Sequence, residues 1–446
     1  MGDTECVKAD LVISARWVVP VEPSGEVLQD HSVVVLDGKI LDILPTLDAT
    51  KRYLPSKHVQ LPDHVLIPGL VNLHGHAAMT LMRGMADDLP LMQWLEKHIW
   101  PAESRHVSAD FVYDGTLLAC AEMLSGGITT FNDMYFYPAA AAQAALDSGM
   151  RAAIGLITLE LPSNYASDSD DYIQKGLEAR DALRHEGKLT FCMAPHAPYT
   201  VSDRTFGRVL LMAEELDMPV HVHLHETLDE ISGSLANHGR RPLARMQQLG
   251  LLGARLIAVH SVHMELAELD LLASSGVSVA HCPSSNLKLA SGFAPVAQML
   301  NRGINVGLGT DSAASNNRLD MFQEMRLAAL LAKAVVGDAS AMPASQAIFA
   351  ATLGGARALG LDQTIGSIMP GKSADLCAVR LSGPGLTPCF DVISQLVYAC
   401  GRENVTDVWV EGVPKMENGT LLSIDEHNLY SQARLWHTKL VAETKT

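Results

Sequence analysis

Paired cysteines are missing from this chain: its seven cysteines (Cys6, Cys120, Cys192, Cys282, Cys377, Cys389 and Cys400) are scattered, odd in number and never spaced as Cys-x-x-Cys. That excludes a disulfide framework and points to a reducing compartment, with the thiols as small core hydrophobes. Positive charge is also short, with 33 Lys+Arg against 50 Asp+Glu and a formal net charge of −17. Such a balance disfavours phosphate backbones and anionic bilayers, so neither nucleic acid nor a membrane is expected as a partner. The longest apolar stretches, such as the one from Leu327 to Ala332 with Lys333 close behind, are too short to span a bilayer. No basic region followed by an apolar one opens the chain, and Cys6 stands where a myristoylation motif beginning Met1-Gly2 would carry Ser or Thr. A soluble cytoplasmic protein is the expectation. Repeats, low-complexity tracts and long disordered linkers are absent as well.

What is present is a globular chain of 446 residues, 48% hydrophobic and 19% charged, with ample material for a core. That length suits an α/β barrel with a small second domain. Short β-rich runs separated by turn signals such as Asp37-Gly38 fill the stretch from Ala9 to about Gln60, and the same texture returns at Ala374–Arg380 and Val405–Pro414. Both ends are therefore expected to pair into one small antiparallel β domain. Between them, strand-like runs alternate with helical segments, as in a parallel sheet wrapped by helices. Eight such runs begin at Leu66, Ile128, Ala152, Leu189, Val220, Leu256, Val277 and Ile304. The expected fold is α/β: a (β/α)8 TIM-like barrel over residues 63–369, with a small β-sandwich domain from residues 1–62 and 370–446. Ser163–Asp171 reads as a surface loop, and Arg151, near a strand start, as an ion-pair partner.

Chemistry in such a barrel sits at the carboxyl ends of the strands. The first strand ends in His74-Gly75-His76, the fourth in His196, the fifth in His223-Leu224-His225-Glu226, the sixth in His260, the seventh in His281 and the eighth in Asp311. Residues two apart on a strand share a face, so His74 and His76 converge. Two imidazoles, a third from strand five and a carboxylate from strand eight make an N3O set that suits a divalent ion with one position left for water. Glu226, three residues past His223, sits where a proton shuttle is needed. Parity alone does not separate His223 from His221 and His225. Asp311 before Ser-Ala-Ala also reads as a helix cap, and His281 as either a substrate contact or a structural hydrogen-bonder.

Three segments, Pro68–His76, His223-Leu-His-Glu226-Thr and Gly309-Thr-Asp311-Ser-Ala-Ala-Ser-Asn-Asn, resemble the amidohydrolase superfamily over nearly the whole chain. Trp94, Trp100-Pro-Ala-Glu103, Ala194-Pro-His196-Ala-Pro-Tyr199 and the segment from Pro283 to Gly292 are similar to the bacterial 5′-methylthioadenosine/S-adenosylhomocysteine deaminases. The resemblance implies His74, His76, His223 and Asp311 as metal ligands, Glu226 as proton shuttle and His260 as the residue orienting hydroxide, with Glu226, His260 and Asp311 forming the catalytic set. It implies Glu103 and His196 as nucleoside contacts and Trp94 as a packing surface. No lysine ends the fourth strand, where two-metal members carry a bridging carbamylated one, so one divalent ion, zinc, is expected. The substrate implied is a small adenosine-type nucleoside deaminated by water, and related enzymes form homo-oligomers. Two rivals stand beside this reading. One keeps the site and changes the heterocycle to a triazine, guanine or cytosine; the other is an inactive scaffold.

Overall fold

A computed structural model describes residues 6–443, so the Met1-Gly2 start lies outside the described residues. Sixteen strands fall into two eight-stranded sheets. The first is built by both ends of the described chain: β1 (Val7–Val18), β2 (Leu28–Leu36), β3 (Lys39–Pro45) and β4 (Tyr53–Pro68), then β13 (Leu376–Arg380), β14 (Val405–Val410), β15 (Val413–Glu417) and β16 (Thr420–Leu421). Its order is β16-β15-β14-β13-β4-β1-β2-β3. Alternation along β1 explains why both faces are covered: Leu11, Ile13 and Ala15 enter one apolar cluster while Val12, on the opposite face, enters another. The pairing is not wholly antiparallel, as the turn signals suggested. β1 and β4 run parallel, because β2, β3 and a short helix at Thr46–Arg52 carry the chain back before β4 begins.

The second sheet is the barrel: β5 (Leu70–Gly75), β6 (Ile128–Tyr135), β7 (Arg151–Thr158), β8 (Leu189–Pro195), β9 (Val220–Leu224), β10 (Leu256–His260), β11 (Ser278–His281) and β12 (Val306–Leu308), all parallel and in sequence order. Helices connect them, for example Ala109–Ser125, whose N-terminus is capped by Ser108 Oγ accepting the Phe111 N–H. β12 returns beside β5 through three bonds. Asp311 N–H donates to the His74 carbonyl at 3.0 Å, Thr310 N–H to Asn72 Oδ1 at 2.9 Å, and Asn72 Nδ2 to Thr310 Oγ1 at 2.8 Å. Gly309 permits this approach, since a Cβ there would sit 2.9 Å from the backbone nitrogen and the Cβ of His74.

The run Val65–Leu73 reads in sequence as one strand, but the structure divides it. Val65 to Pro68 pair with β13 in the first sheet, and the barrel strand begins at Leu70. Pro68 has no N–H to donate, and a Cβ on Gly69 would fall 2.1 Å from Thr129 Oγ1, so the chain crosses between sheets at the one dipeptide that tolerates it. The sheets are further tied by Arg151, buried at the start of β7. Its Nε lies 3.1 Å from Asp375 Oδ2 and its Nη2 3.2 Å from Glu411 Oε1, the ion pairing expected of it. Helix Glu426–Glu443 packs on the barrel rather than on the first sheet: the Trp436 ring meets Phe111 edge-on at 5.2 Å and its Nε1–H donates to Asp114 Oδ2 at 2.7 Å.

Gly69→Ala should therefore destabilise the fold by about 1–3 kcal/mol through overpacking. Gly187→Ala, where an added Cβ meets nothing within 4 Å, should stay within about 0.5 kcal/mol. Equal unfolding midpoints for the two variants would show that the crossing at Gly69 is not tightly packed.

Candidate metal and substrate site

The strand ends bring the expected side chains together. His74 closes β5 and His76 follows it; His223 lies on β9, His260 ends β10, and Asp311 follows β12 with a left-handed φ of 59°. His74 Nε2 stands 3.2 Å from His223 Nε2 and 3.3 Å from Asp311 Oδ1, and His76 Nε2 is also 3.3 Å from Asp311 Oδ1. His260 joins His74 and His223 in a second grouping of ligand atoms within 4.8 Å of one another. Ligands about 2.1 Å from a shared tetrahedral centre would lie about 3.4 Å apart. The measured separations are close to that figure.

The outer nitrogen of each ring explains the orientation of the inner one. His76 Nδ1 faces the Met134 carbonyl at 2.6 Å and His223 Nδ1 the His196 carbonyl at 2.7 Å. A carbonyl only accepts, so both Nδ1 atoms carry a proton, and in the neutral ring each Nε2 presents its lone pair to the site. His260 Nδ1 lies 2.8 Å from Asn286 Oδ1 and His74 Nδ1 lies 2.9 Å from His221 Nε2, contacts that leave the remaining Nε2 atoms pointing inward. Burial lowers His74 to about 4 and His223 well below its usual value, which favours the neutral, ligating form. Asp311 behaves oppositely. Burial pushes its carboxyl up, but hydrogen bonding and charge from His74 and His76 hold it well below the usual range, while its Oδ2 accepts from Ser285 Oγ and Ser315 Oγ. His76 Nε2 and Asp311 Oδ1 face each other at 3.3 Å, a spacing that suits two ligands of one cation.

Glu226 leans over this cluster, its Oε2 3.7 Å from His260 Nε2, and burial raises its pKa. A cavity of about 270 Å³ opens outward from here, lined by His76, His223, Glu226, His260 and Asp311 at its floor. Leu91, Trp94, Leu95, Ile99, Trp100 and Leu161 supply an apolar wall. Glu103 enters from helix Trp100–His106, and Oε1 of its carboxylate accepts a hydrogen bond from Tyr135 OH at 2.7 Å; burial pushes it up to about 7. His196 lines the same cavity with Nδ1 2.9 Å from Thr200 Oγ1. Eight of the nine candidate site residues therefore border one space, and the ninth, His74, is fully buried against His223 and Asp311 beneath it.

His281 does not: it borders a separate small cavity beside Asn286 and Phe293, with its Nδ1 unpartnered. Parity placed His225 on the ligand face, yet β9 ends at Leu224 and a φ of 56° turns His225 away, so that its Nε2 accepts the Leu243 N–H at 2.9 Å. Ser163, Asn164 and Tyr165, read as part of a surface loop, line the cavity. Tyr135 was missed because the strand beginning at Ile128 was read too short. Ser285 and Ser315 carry no sequence signal of their own.

These features define a barrel hydrolase built around a metal site. The chain belongs to the amidohydrolase family, whose profile matches residues 65–415. It is 46% identical over 440 residues to a 5-methylthioadenosine/S-adenosylhomocysteine deaminase of Saccharophagus degradans, covering 99% of each chain. It is 39% identical to a 5′-deoxyadenosine deaminase of Methanosarcina mazei, covering 98% of this chain and 100% of the relative. Among solved structures, an adenosine deaminase from Xanthomonas campestris with bound zinc superposes with a TM-score of 0.97 at 50% identity, over 98% of this chain and 100% of that one.

Asp311→Asn removes the negative charge that the inward lone pairs face, and should weaken divalent-metal binding roughly 100-fold or more, read by elemental analysis after dialysis. Occupancy equal to the parent protein would mean that the cluster is a hydrogen-bonded core and not a metal site.

Proposed function

We propose that this chain is a zinc-dependent aminohydrolase that converts adenosine-type nucleosides to their inosine analogues and ammonia. The observation that carries this reading is the set of Nε2 and Oδ1 atoms about 3.2–3.3 Å apart, each turned inward by an outer partner, at the floor of a nucleoside-sized cavity. His74, His76, His223 and Asp311 would hold the ion, as their donor set suits zinc. When bound, that ion supplies Lewis acidity that makes water nucleophilic near neutral pH.

The rest of the chemistry belongs to the chain. Glu226 accepts a proton from the attacking water and delivers it to ring N1, a role its burial-raised pKa suits. His260, its Nδ1 tied to Asn286, presents Nε2 to the incoming oxygen. As the tetrahedral C6 carbon collapses, the remaining proton of the added water passes from the C6 hydroxyl to the amino group, the C6–N bond breaks and ammonia leaves, while the first proton stays on N1 of the inosine product. Tyr135 holds one oxygen of Glu103, leaving the other for ribose hydroxyls, and Trp94 offers an aromatic face beside it. His196 completes the nucleoside contacts. The relatives named for 5′-methylthio, S-adenosylhomocysteine and 5′-deoxy substrates share this chemistry and differ at the 5′ end. Here Leu91, Leu95, Ile99 and Leu161 make one wall apolar and the lining holds no Lys or Arg to pair a carboxylate, which favours an uncharged 5′ substituent over a zwitterionic one.

Two outcomes follow. In a panel of 5′-methylthioadenosine, 5′-deoxyadenosine, adenosine and S-adenosylhomocysteine, ammonia release should occur with kcat/KM highest for the small uncharged 5′ groups. Turnover of none of the four by zinc-loaded protein would end the nucleoside reading. Glu226→Gln should keep its zinc and lose about 10²–10⁴-fold in kcat, and full activity in that variant would remove its assigned role.

A further inference from the structure

Glu226 acts from the first residues after a strand, where a side chain is ordinarily least constrained. Its own carboxylate has only distant neighbours, with Ser291 Oγ at 3.4 Å and His260 Nε2 at 3.7 Å. What is held firmly is the backbone that carries it. The His225 N–H donates to Glu230 Oε1 at 2.9 Å and the Glu226 N–H to Glu230 Oε2 at 2.8 Å, so one carboxylate spans both amides of the turn. Between those amides lies His225 with a φ of 56°, a left-handed conformation that a residue with a side chain adopts only when its surroundings impose it.

Glu230 is itself immobilised. It is 6% exposed, it stands in the first turn of helix Leu228–His238, and its N–H donates to the capping Thr227 Oγ1 at 3.2 Å. Thr227-x-x-Glu230 is the pattern of a capping box, in which the glutamate returns to the N-cap amide. Here it reaches further back, to the two residues before the cap. The turn is also restrained by the His225 ring, whose Nε2 accepts the Leu243 N–H, and by the His225 carbonyl, which accepts the N–H groups of Val262 and His263 at 3.0 Å.

We propose that Glu230 is a positioning residue for the deamination: by clamping the His225 and Glu226 amides it aims the Glu226 carboxylate over the metal cluster, without touching substrate or ion. The proposal rests on the reading of Glu226 as proton shuttle. A carboxylate is required because both partners are donors. A glutamine of the same shape would set an NH2 group against one of the amides, and an aspartate would fall short by a methylene.

The test uses the full zinc-loaded chain. Glu230→Gln should lower kcat about 10–100-fold, since a displacement on the order of 1 Å at a reacting group costs that much. KM for 5′-methylthioadenosine and the zinc content should stay within about twofold of the parent, which a general loss of structure would not allow. Glu226→Gln/Glu230→Gln should be no slower than Glu226→Gln alone, because one defect acts through the other. If Glu230→Gln does not fold, Glu230→Asp carries the same comparison and should fall in the same direction. A kcat within about twofold of the parent, or losses that multiply in the double variant, would overturn the proposal. An active Glu226→Gln variant would instead overturn the shuttle reading on which it stands.

Discussion

One electrostatic requirement underlies the catalytic face: neutral imidazole lone pairs and an ionised carboxylate are buried facing one another, with their outer atoms committed elsewhere. The carbonyls of Met134 and His196 dictate which nitrogen of His76 and His223 keeps its proton. Ser285 and Ser315 occupy the far oxygen of Asp311. With the imidazoles neutral, a divalent cation turns the 3.3 Å separation of His76 Nε2 and Asp311 Oδ1 into coordination. The barrel's closing bonds serve this geometry directly, because the Asp311 amide that joins β12 to β5 donates to the carbonyl of the ligand His74.

Around that core, the substrate side is assembled from a different part of the chain. The segment between β5 and β6 carries Trp94 and Glu103 across the barrel mouth, and Tyr135 at the end of β6 ties it down through the Glu103 carboxylate. In the proposed reading the two sets of residues also touch directly, since the carbonyl of Met134, next to Tyr135, orients His76 and the carbonyl of His196 orients His223.

Much of this was legible from residues alone, for identifiable reasons. Barrel strands are short apolar runs bounded by turns, and imidazoles at their ends stand out against an apolar background, so the architecture and the strand-end residues followed from spacing, whereas Glu103 and Trp94 came from the resemblance to the deaminases. The parallel β1–β4 pairing and the break at Gly69 were not legible, because strand partners and sheet changes depend on contacts distant in sequence. Parity left His225 undistinguished from His223, because the left-handed φ just past β9 that turns it away has no sequence signal. Tyr135, Ser285 and Ser315 act through hydrogen bonds to functional groups, a role that ordinary residue types do not advertise. Glu230 did leave a trace, the Thr-x-x-Glu spacing, but that pattern speaks of helix capping and not of catalysis.

The central claim is that this cluster holds a single ion and that the ion is needed for deamination. It is tested most directly by titrating metal-free protein with zinc and following ammonia release from 5′-methylthioadenosine. Activity should rise in proportion to added zinc and level off at one ion per chain. A plateau at two ions, or activity that does not depend on zinc, would contradict the account.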